Sequence, residues 1–173
     1  MLEVRHYPDP VLLRPSQPVV DFDQRLRRLI EDMYETMYTE SGVGLAAPQV
    51  GVNRRLFVLN CDYERSGVQG EITMVNPVIT HAEERYVAEE GCLSFPGIYA
   101  SVERYRKVRV RYQDATGAWQ EREAEDLCGR AVQHELDHLE GKVFVDRLAP
   151  DQKAKIRKQL DALKKDFKKH LIV

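Results

Sequence analysis

His134-Glu135-Leu136-Asp137-His138 is the stretch from which the fold and the chemistry of this chain can be worked out. Residues four apart on a helix differ by about 40° around its axis, so both imidazoles lie on one face and can close on one metal ion. Glu135 projects beside them, where it can accept a proton from a metal-bound water. The pattern predicts metal-assisted hydrolysis of an acyl bond.

The surroundings of this segment distinguish a buried metal-binding helix from a surface helix with scattered polar residues. Apolar residues lie on several of its sides: Leu127, Ala131, Val132, Leu136 and Leu139. A helix of this kind is buried, and buried histidine and glutamate need partners because an unpaired buried charge is costly. We predict a helix from about Asp126 to Leu139 that Gly141 ends.

A catalytic site of this type usually has three protein ligands and an open position, so a third ligand must come from elsewhere. The usual downstream ligands of metalloproteases are absent, since no glutamate follows Glu140 and Phe144 occupies the place of a third histidine. The remaining candidates, besides a few carboxylates, are Cys61, Cys92, Cys128, His6, His81 and His170. Cys92 is favoured because Gly91 allows close backbone approach and Pro96-Gly97 turns the chain afterwards. The alternative for Cys92 is a small buried hydrophobic residue.

The other two cysteines suit a metal site less well. Cys128 lies six residues before His134 and should point to another side of the helix. Cys61 precedes a polar stretch, Asp62 to Gly70, that predicts a mobile loop. Three cysteines at these spacings predict no disulfide framework, and a reducing cytosol is the expected compartment.

A segment of small residues, Gly42-Val43-Gly44-Leu45-Ala46-Ala47-Pro48-Gln49, has Gln49 as its only polar side chain. One interpretation is a tight, close-packed loop. The other is a wall that a substrate backbone can approach closely, with the Gln49 amide donating to a developing oxyanion. The residues alone leave both open.

These three segments together resemble the peptide deformylases, the enzymes that remove the formyl group from new protein N-termini. The motifs of that family correspond here to Gly42 to Gln49, Glu90 to Ser94 and Gln133 to His138, all intact and in the same order. The resemblance extends from about Val4 to the C-terminal helix. It implies one catalytic domain over residues 1–173 that releases formate from N-formylmethionyl peptides and nascent chains.

The resemblance also implies a role for each site residue. Cys92, His134 and His138 would bind one divalent metal ion, with water in the fourth position, and Glu135 would act as general base and then acid. The Gln49 amide and the Leu93 backbone N–H would stabilise the oxyanion. The family implies ferrous iron in the cell, with zinc, nickel or cobalt able to substitute, and the donor set itself does not choose among them.

A pocket for the methionine side chain is implied by the same resemblance. With the backbone contacts beside it, it comprises Gly42, Val43, Gly44, Gly91, Leu93, Gly97, Tyr99, Leu127, Arg130, Ala131 and His134. The substrate backbone would add as an extended strand between Val43-Gly44 and the stretch from Gly97 to Tyr99. Glu90 either orients a metal ligand or forms a surface salt bridge with Arg104.

Apolar periodicity predicts the other elements. A helix covers Asp21 to Thr39, capped by Asp21 or Asp23, and Leu56 to Leu59 form a buried strand. Met74 to Thr80 form a strand, and Pro77 within it predicts that this strand lies at an edge of the sheet. Val102 to Tyr112 and Trp119 to Glu125 form a hairpin through a turn at residues 114–117. This order predicts an α+β fold with antiparallel sheets, and the resemblance adds that they surround the central metal-binding helix, with one further helix at each end.

The C-terminal segment, Pro150 to Val173, is predicted to form one amphipathic helix. Eight basic and two acidic residues lie between Lys153 and Lys169. The charges are either a solvated face over a packed apolar stripe or a contact for a polyanion. The resemblance makes the ribosome the candidate partner of residues 151–173.

Composition limits the remaining possibilities. The 173 residues suffice for one domain, and 43% hydrophobic with 31% charged residues is typical of a globular protein. A net charge of −2 gives no reason to expect DNA binding, and no apolar run could span a membrane. No signal or transit peptide is expected at Met1 to Pro10, which favours a bacterial cytosolic protein, and we expect a monomer. Two rival functions are a general metallopeptidase and a closed structural metal site with His81 or Cys61 as fourth ligand.

Overall fold

The computed structural model describes residues 1–171. In this part of the chain, four α-helices and four short 3-10 turns accompany five strands. The helices are α1 (Gln24–Thr39), α2 (Tyr63–Ser66), α3 (Asp126–Leu139) and α4 (Pro150–Leu171). The strands are β1 (Gly44–Ala46), β2 (Leu56–Leu59), β3 (Ile72–Cys92), β4 (Phe95–Gln113) and β5 (Trp119–Glu125). The 3-10 turns are Pro10–Leu13, Ala47–Val50, Gly67–Gly70 and Phe144–Arg147.

The five strands form one antiparallel sheet in chain order, because each strand folds back on the one before it. Its longest hairpin joins β3 and β4, where Cys92 pairs with Phe95 across a two-residue turn. A second hairpin joins β4 and β5 through the predicted turn, in which the Asp114 carboxylate accepts the Thr116 N–H at 2.9 Å. The predicted antiparallel α+β fold is confirmed, with the strands in one continuous sheet.

The assignment of Met74 to Thr80 to an edge holds only beyond Val75. The segment is part of β3, in which Ile72–Val75 pair with β2, whereas the residues after Val75 pair with β4 alone. The β3–β4 register shifts between Val75 and Val78, so Pro77, which has no N–H to donate, lies in an irregularity of the ladder. A bulge in a stretch with one strand partner therefore accommodates the proline.

The predicted bounds of α3 are confirmed, and this helix lies against the sheet. Val132 and Leu139 are buried in one cluster with Phe57 of β2 and Val110 of β4. Gly141 follows the helix with φ 74°, the left-handed conformation that suits glycine after a helix end.

The first helix begins later than predicted, because Asp23 caps it: its carboxylate accepts the Leu26 N–H at 3.0 Å. Leu26, Met33 and Met37 form the buried stripe and pack against residues of β1, β2 and β3.

The C-terminal helix packs its apolar stripe against β4. Ile156 is buried, and Leu160 and Leu163 lie against a cluster that includes Ile98 and Val102. The predicted end at Val173 falls outside the described residues, as does Ile172. None of the described helices combines the length and apolar character needed to cross a membrane.

Cys61 and Cys128 form a disulfide, so the prediction of no disulfide framework is wrong. The bond joins the end of β2 to the first turn of α3 across a sequence separation of 67 residues. Spacing along the chain could not reveal this proximity, because the sheet brings the two segments together. The loop predicted at residues 62–70 contains α2 and a 3-10 turn, which Asn60 holds through a 2.9 Å hydrogen bond to the Gly67 carbonyl.

Candidate metal centre and active site

Three side chains that could bind a metal, one from β3 and two from α3, lie close together. Cys92 ends β3, while His134 and His138 lie one turn apart on the helix, and their ligand atoms all lie within 4.8 Å of one another. Cys92 Sγ is 3.4 Å from His138 Nε2. Both histidines are buried and Cys92 is half-buried. The structure thus brings together the three predicted ligands.

The hairpin turn presents Cys92 to the helix. The β3–β4 register shifts between Gly91 and Cys92, and such an irregularity redirects the side chains that follow it. A Cβ at Gly91 would lie 2.5 Å from Tyr99 Cε1, so any other residue there would have to displace the exposed Tyr99 ring. The glycine before the cysteine therefore lets the Tyr99 ring lie against the backbone of β3.

Glu90 fixes the orientation of His134. Its carboxylate lies 2.8 Å from His134 Nδ1, which favours the ring with its proton on Nδ1 and leaves Nε2 free to bind a metal. Arg104 donates to the same carboxylate at 2.9 and 3.0 Å. Both contacts expected for Glu90 therefore form, but the pair with Arg104 is buried, and not at the surface as predicted.

Burial alone would raise the pKa of Glu90, but hydrogen bonds from His134 and Arg104 outweigh it and hold that pKa well below its usual range. Burial also lowers the pKa of His138 well below its usual value. Glu90 is therefore an anion and His138 a neutral imidazole, which is the form that binds metals.

Glu135 is buried next to the ligands, and among residues 1–171 its Oε2 has no hydrogen-bond partner. Burial raises its pKa to about 7, opposed by the neighbouring His134. A Cβ on Gly44 would lie 3.0 Å from Glu135 Oε1, so the glycine lets the carboxylate approach β1 closely. An unpaired oxygen in such a place indicates a donor in the site, because buried polar groups are rarely left unsatisfied.

Hydrogen bonds at both atoms of its side-chain amide orient Gln49. Its Oε1 accepts the Ala46 N–H at 2.9 Å, and its Nε2 donates to Ser94 Oγ at 3.1 Å. The same nitrogen is 3.5 Å from Cys92 Sγ. Gln49 therefore belongs both to a close-packed loop and to the wall of the site, which combines the two interpretations of its segment.

A cleft of about 600 Å³ opens onto these groups. It gathers all the predicted substrate-contacting residues: Gly42, Val43, Gly44, Gly91, Leu93, Gly97, Tyr99, Leu127, Arg130, Ala131 and His134. Cys92, Glu135 and Gln49 also line it, whereas His138 lies behind them, fully buried.

Arg130 lines this cleft, but its guanidinium is already bound. It donates to Glu90 Oε2 and, at 3.0 Å, to the Val102 carbonyl, and it lies 4.6 Å from the centre of the Tyr86 ring. The polar end of Arg130 therefore supports Glu90, and only the rest of its side chain is available to a substrate.

Sequence reasoning missed several residues of the site. Glu40 and Glu89 line the cleft, but no motif contains them, and His6, which was considered only as a possible metal ligand, lines it too. The contact of Ser94 with Gln49 was also missed, although Ser94 belongs to the same short segment as Cys92, which was the available signal.

Comparisons with known proteins agree with this geometry. The sequence profile of the family described as "Polypeptide deformylase" matches residues 1–154. A peptide deformylase from Acidobacterium capsulatum is 47% identical over 143 residues, covering 83% of this chain and 84% of the relative. One from Thermotoga neapolitana is 46% identical over 92% of this chain and 94% of its own length. A crystal structure of peptide deformylase from Plasmodium falciparum superposes with a TM-score of 0.92 and 38% identity, covering 96% of this chain and 97% of that one.

Proposed function

Since the chain belongs to the polypeptide deformylase family, we propose that Cys92, His134 and His138 hold one divalent metal ion with which it carries out its reaction. The protein is a hydrolase that removes the N-terminal formyl group from nascent peptides. One observation carries the proposed site. The three ligand atoms lie close together at the cleft, and beside them Glu135 Oε2 has no hydrogen-bond partner among residues 1–171.

The chemistry of the donors fits a metal. One thiolate and two imidazoles suit iron, zinc, cobalt or nickel, and three protein ligands leave a position for water. When bound there, such an ion lowers the pKa of a water ligand toward neutrality. We propose ferrous iron as the ion in the cell, with the other three able to substitute.

Glu135 is the proposed general base and acid. Its unpaired Oε2 receives a proton from the water whose oxygen attacks the formyl carbon. It then passes the proton to the amine nitrogen as the C–N bond breaks, which yields formate and a free N-terminus. Positioned acid–base help of this kind is typically worth about 10²–10⁴-fold in rate.

Gln49 and Leu93 are proposed to stabilise the oxyanion that develops on the formyl oxygen. The Gln49 amide nitrogen faces Cys92 and is held there from its carbonyl end by Ala46. The Leu93 backbone N–H would be the second donor, next to Cys92 in the hairpin turn. Donors fixed before the reaction need no reorganisation when charge develops.

The cleft residues are proposed to bind the formylmethionyl residue. Val43, Leu93 and Ala131 provide apolar walls for an unbranched side chain. The peptide would lie as an added strand between Val43-Gly44 and the Gly97–Tyr99 stretch of β4.

The alternative function, a closed structural metal site, required His81 or Cys61 as the fourth ligand. His81 is exposed and lies 3.1 Å from Glu83 Oε2, and Cys61 is bonded to Cys128. Neither belongs to the group of ligand atoms around Cys92.

Formate release separates deformylation from other amide hydrolysis. Protein prepared anaerobically with ferrous iron should release formate rapidly from formyl-Met-Ala-Ser and should leave acetyl-Met-Ala-Ser intact. Equal hydrolysis of both peptides would contradict the proposed substrate class. No release by protein with one metal per chain would contradict the proposed catalytic site.

The remaining proposals concern the whole chain. Residues 1–173 form one catalytic domain that acts as a monomer in the bacterial cytosol, and the exposed lysines of α4 contact the ribosome. Co-sedimentation of ribosomes with the intact chain and with residues 1–150 tests this contact. Equal co-sedimentation of both would exclude α4 as the contact.

A further inference from the structure

Asp137 belongs to the same helical turn as His134 and His138, but it is not one of the grouped ligand residues. Its carboxylate accepts Arg104 Nη1 at 2.6 Å, and it accepts Arg147 Nη2 and Nε at 2.8 and 3.2 Å. Asp137 is thus a buried anion between two guanidinium groups.

An unbroken series of hydrogen bonds links Asp137 to the proposed metal site. Arg104 donates to Asp137 and, through Nε and Nη2, to Glu90, whose Oε1 lies 2.8 Å from His134 Nδ1. Arg104, Asp137 and Glu90 are all buried, whereas the side chain of Arg147 is 45% exposed. The network therefore connects a half-exposed arginine to a ligand imidazole.

The 3-10 turn that carries Arg147 is anchored near the same imidazole. Phe144 in that turn is buried, and its ring centre is 6.0 Å from that of His134. Val143 and Val145 pack into the apolar cluster under α4. This packing anchors the turn from which Arg147 reaches Asp137.

Loss of Arg147 would leave Asp137 with one cationic partner. Arg104 divides its donors between Asp137 and Glu90, so an under-satisfied Asp137 would draw Arg104 away from Glu90. An unpaired buried carboxylate is costly, and networks of this kind respond as units.

We propose that Arg147 is a positioning residue of the metal centre. By holding Asp137 it fixes Arg104 and Glu90, and through them the direction in which His134 presents Nε2. The inference rests on the proposed metal site at Cys92, His134 and His138.

The test compares Arg147→Gln with Arg109→Gln. Arg109 is a matched control because it is 47% exposed, also pairs with carboxylates, Glu121 and Glu123, and lies on the β4–β5 face. The measurement is Co²⁺ affinity by chelator competition, together with the absorption spectrum of the Co²⁺ protein and the melting temperature.

Arg147→Gln should weaken Co²⁺ binding about 10-fold or more, as is typical for groups that support metal ligands, and should shift the absorption bands. Arg147→Lys keeps the charge without the two-pronged contact and should recover part of the affinity. Arg109→Gln should bind within about twofold of the unmodified protein. In the metal-free protein, the NMR resonance of the His134 Nδ1 proton should move in Arg147→Gln and stay in place in Arg109→Gln.

The outcomes separate this inference from the proposed function. If the unmodified protein bound no Co²⁺, or if His134→Ala bound it equally well, the metal site itself would be wrong. If the site bound Co²⁺ but Arg147→Gln matched Arg109→Gln in affinity, spectrum and proton resonance, the positioning role of Arg147 would be overturned.

Discussion

Single residues determine the chemistry of this site, and their types made it predictable. A histidine pair at helical spacing, with a glutamate between them, suits metal-assisted hydrolysis, so His134, Glu135 and His138 were predicted as site residues from the sequence, and their roles stay predictions. The contacts of Glu90 with His134 and Arg104 were predicted only as alternatives, and its contact with Arg130 was not predicted, because these residues are distant in the chain and reach Glu90 only after folding. Local spacing predicts ligands better than it predicts the groups that hold them.

Gln49→Ala should lower kcat for a formyl peptide about 10²–10³-fold, because it removes a proposed oxyanion donor and leaves the proposed metal ligands in place. Ser94→Ala is the control, since it removes the hydroxyl that accepts from Gln49 Nε2 and keeps the amide itself. Steady-state kinetics with metal analysis checks both. Equal, small losses in the two variants would mean that Gln49 only packs the loop.

Helices and strands differ in how reliably the sequence predicts their bounds. The bounds of α3 could be predicted because its apolar periodicity and its terminal glycine agree. Two thirds of β3 was missed because residues 81–90 are mostly polar or charged. The bulge between Val75 and Val78 depends on how β3 pairs with β4, so no local sequence pattern predicts it.

The Cys61–Cys128 disulfide should stabilise the contact between β2 and α3. Closing a loop across 67 residues constrains the unfolded chain, with a contribution of up to about 4 kcal/mol in chain-entropy estimates. Cys61→Ser with Cys128→Ser should lower the free energy of unfolding, and reductant should then have no further effect.

A thiol count on denatured, metal-free protein provides the direct check. Without reductant it should give one thiol, Cys92, and after reduction three. Three thiols without reductant in protein taken directly from a reducing cytosol would contradict the bond in that compartment.

In the whole molecule, α3 contributes residues both to the cleft of the candidate site and to the buried charge network. The class of fold followed from the order of the elements, but the wrapping of the sheet around the helix came only from family resemblance. The reason is physical: pairings such as Leu56 with Val75 and Val75 with Gln113 depend on the global register, which composition does not encode.

Acid should destabilise the fold through this network. Glu90 and Asp137 have lower pKa values in the folded protein than their usual 4.5 and 3.8, so the unfolded state binds more protons as these groups titrate. Their contribution is complete above those usual values and is lost as pH falls through the folded ones. The melting temperature of metal-free protein should therefore fall steeply below about pH 4.5.

Glu90→Gln with Asp137→Asn provides the comparison for this pH dependence. The double variant should be less stable near neutrality, and its melting temperature should depend less on pH in the acid range. An unchanged acid slope in the double variant would assign the acid sensitivity to other carboxylates.

Turnover by Glu135→Gln tests the central claim most directly. Formate release from formyl-Met-Ala-Ser should be measured for this variant and for the unmodified protein, each with one metal ion per chain by elemental analysis. We expect the variant to keep its metal and to lose at least about 10²-fold in turnover, because the amide cannot accept the proton. Near-normal turnover by the metal-loaded variant would contradict the assigned role of Glu135 and with it the proposed mechanism.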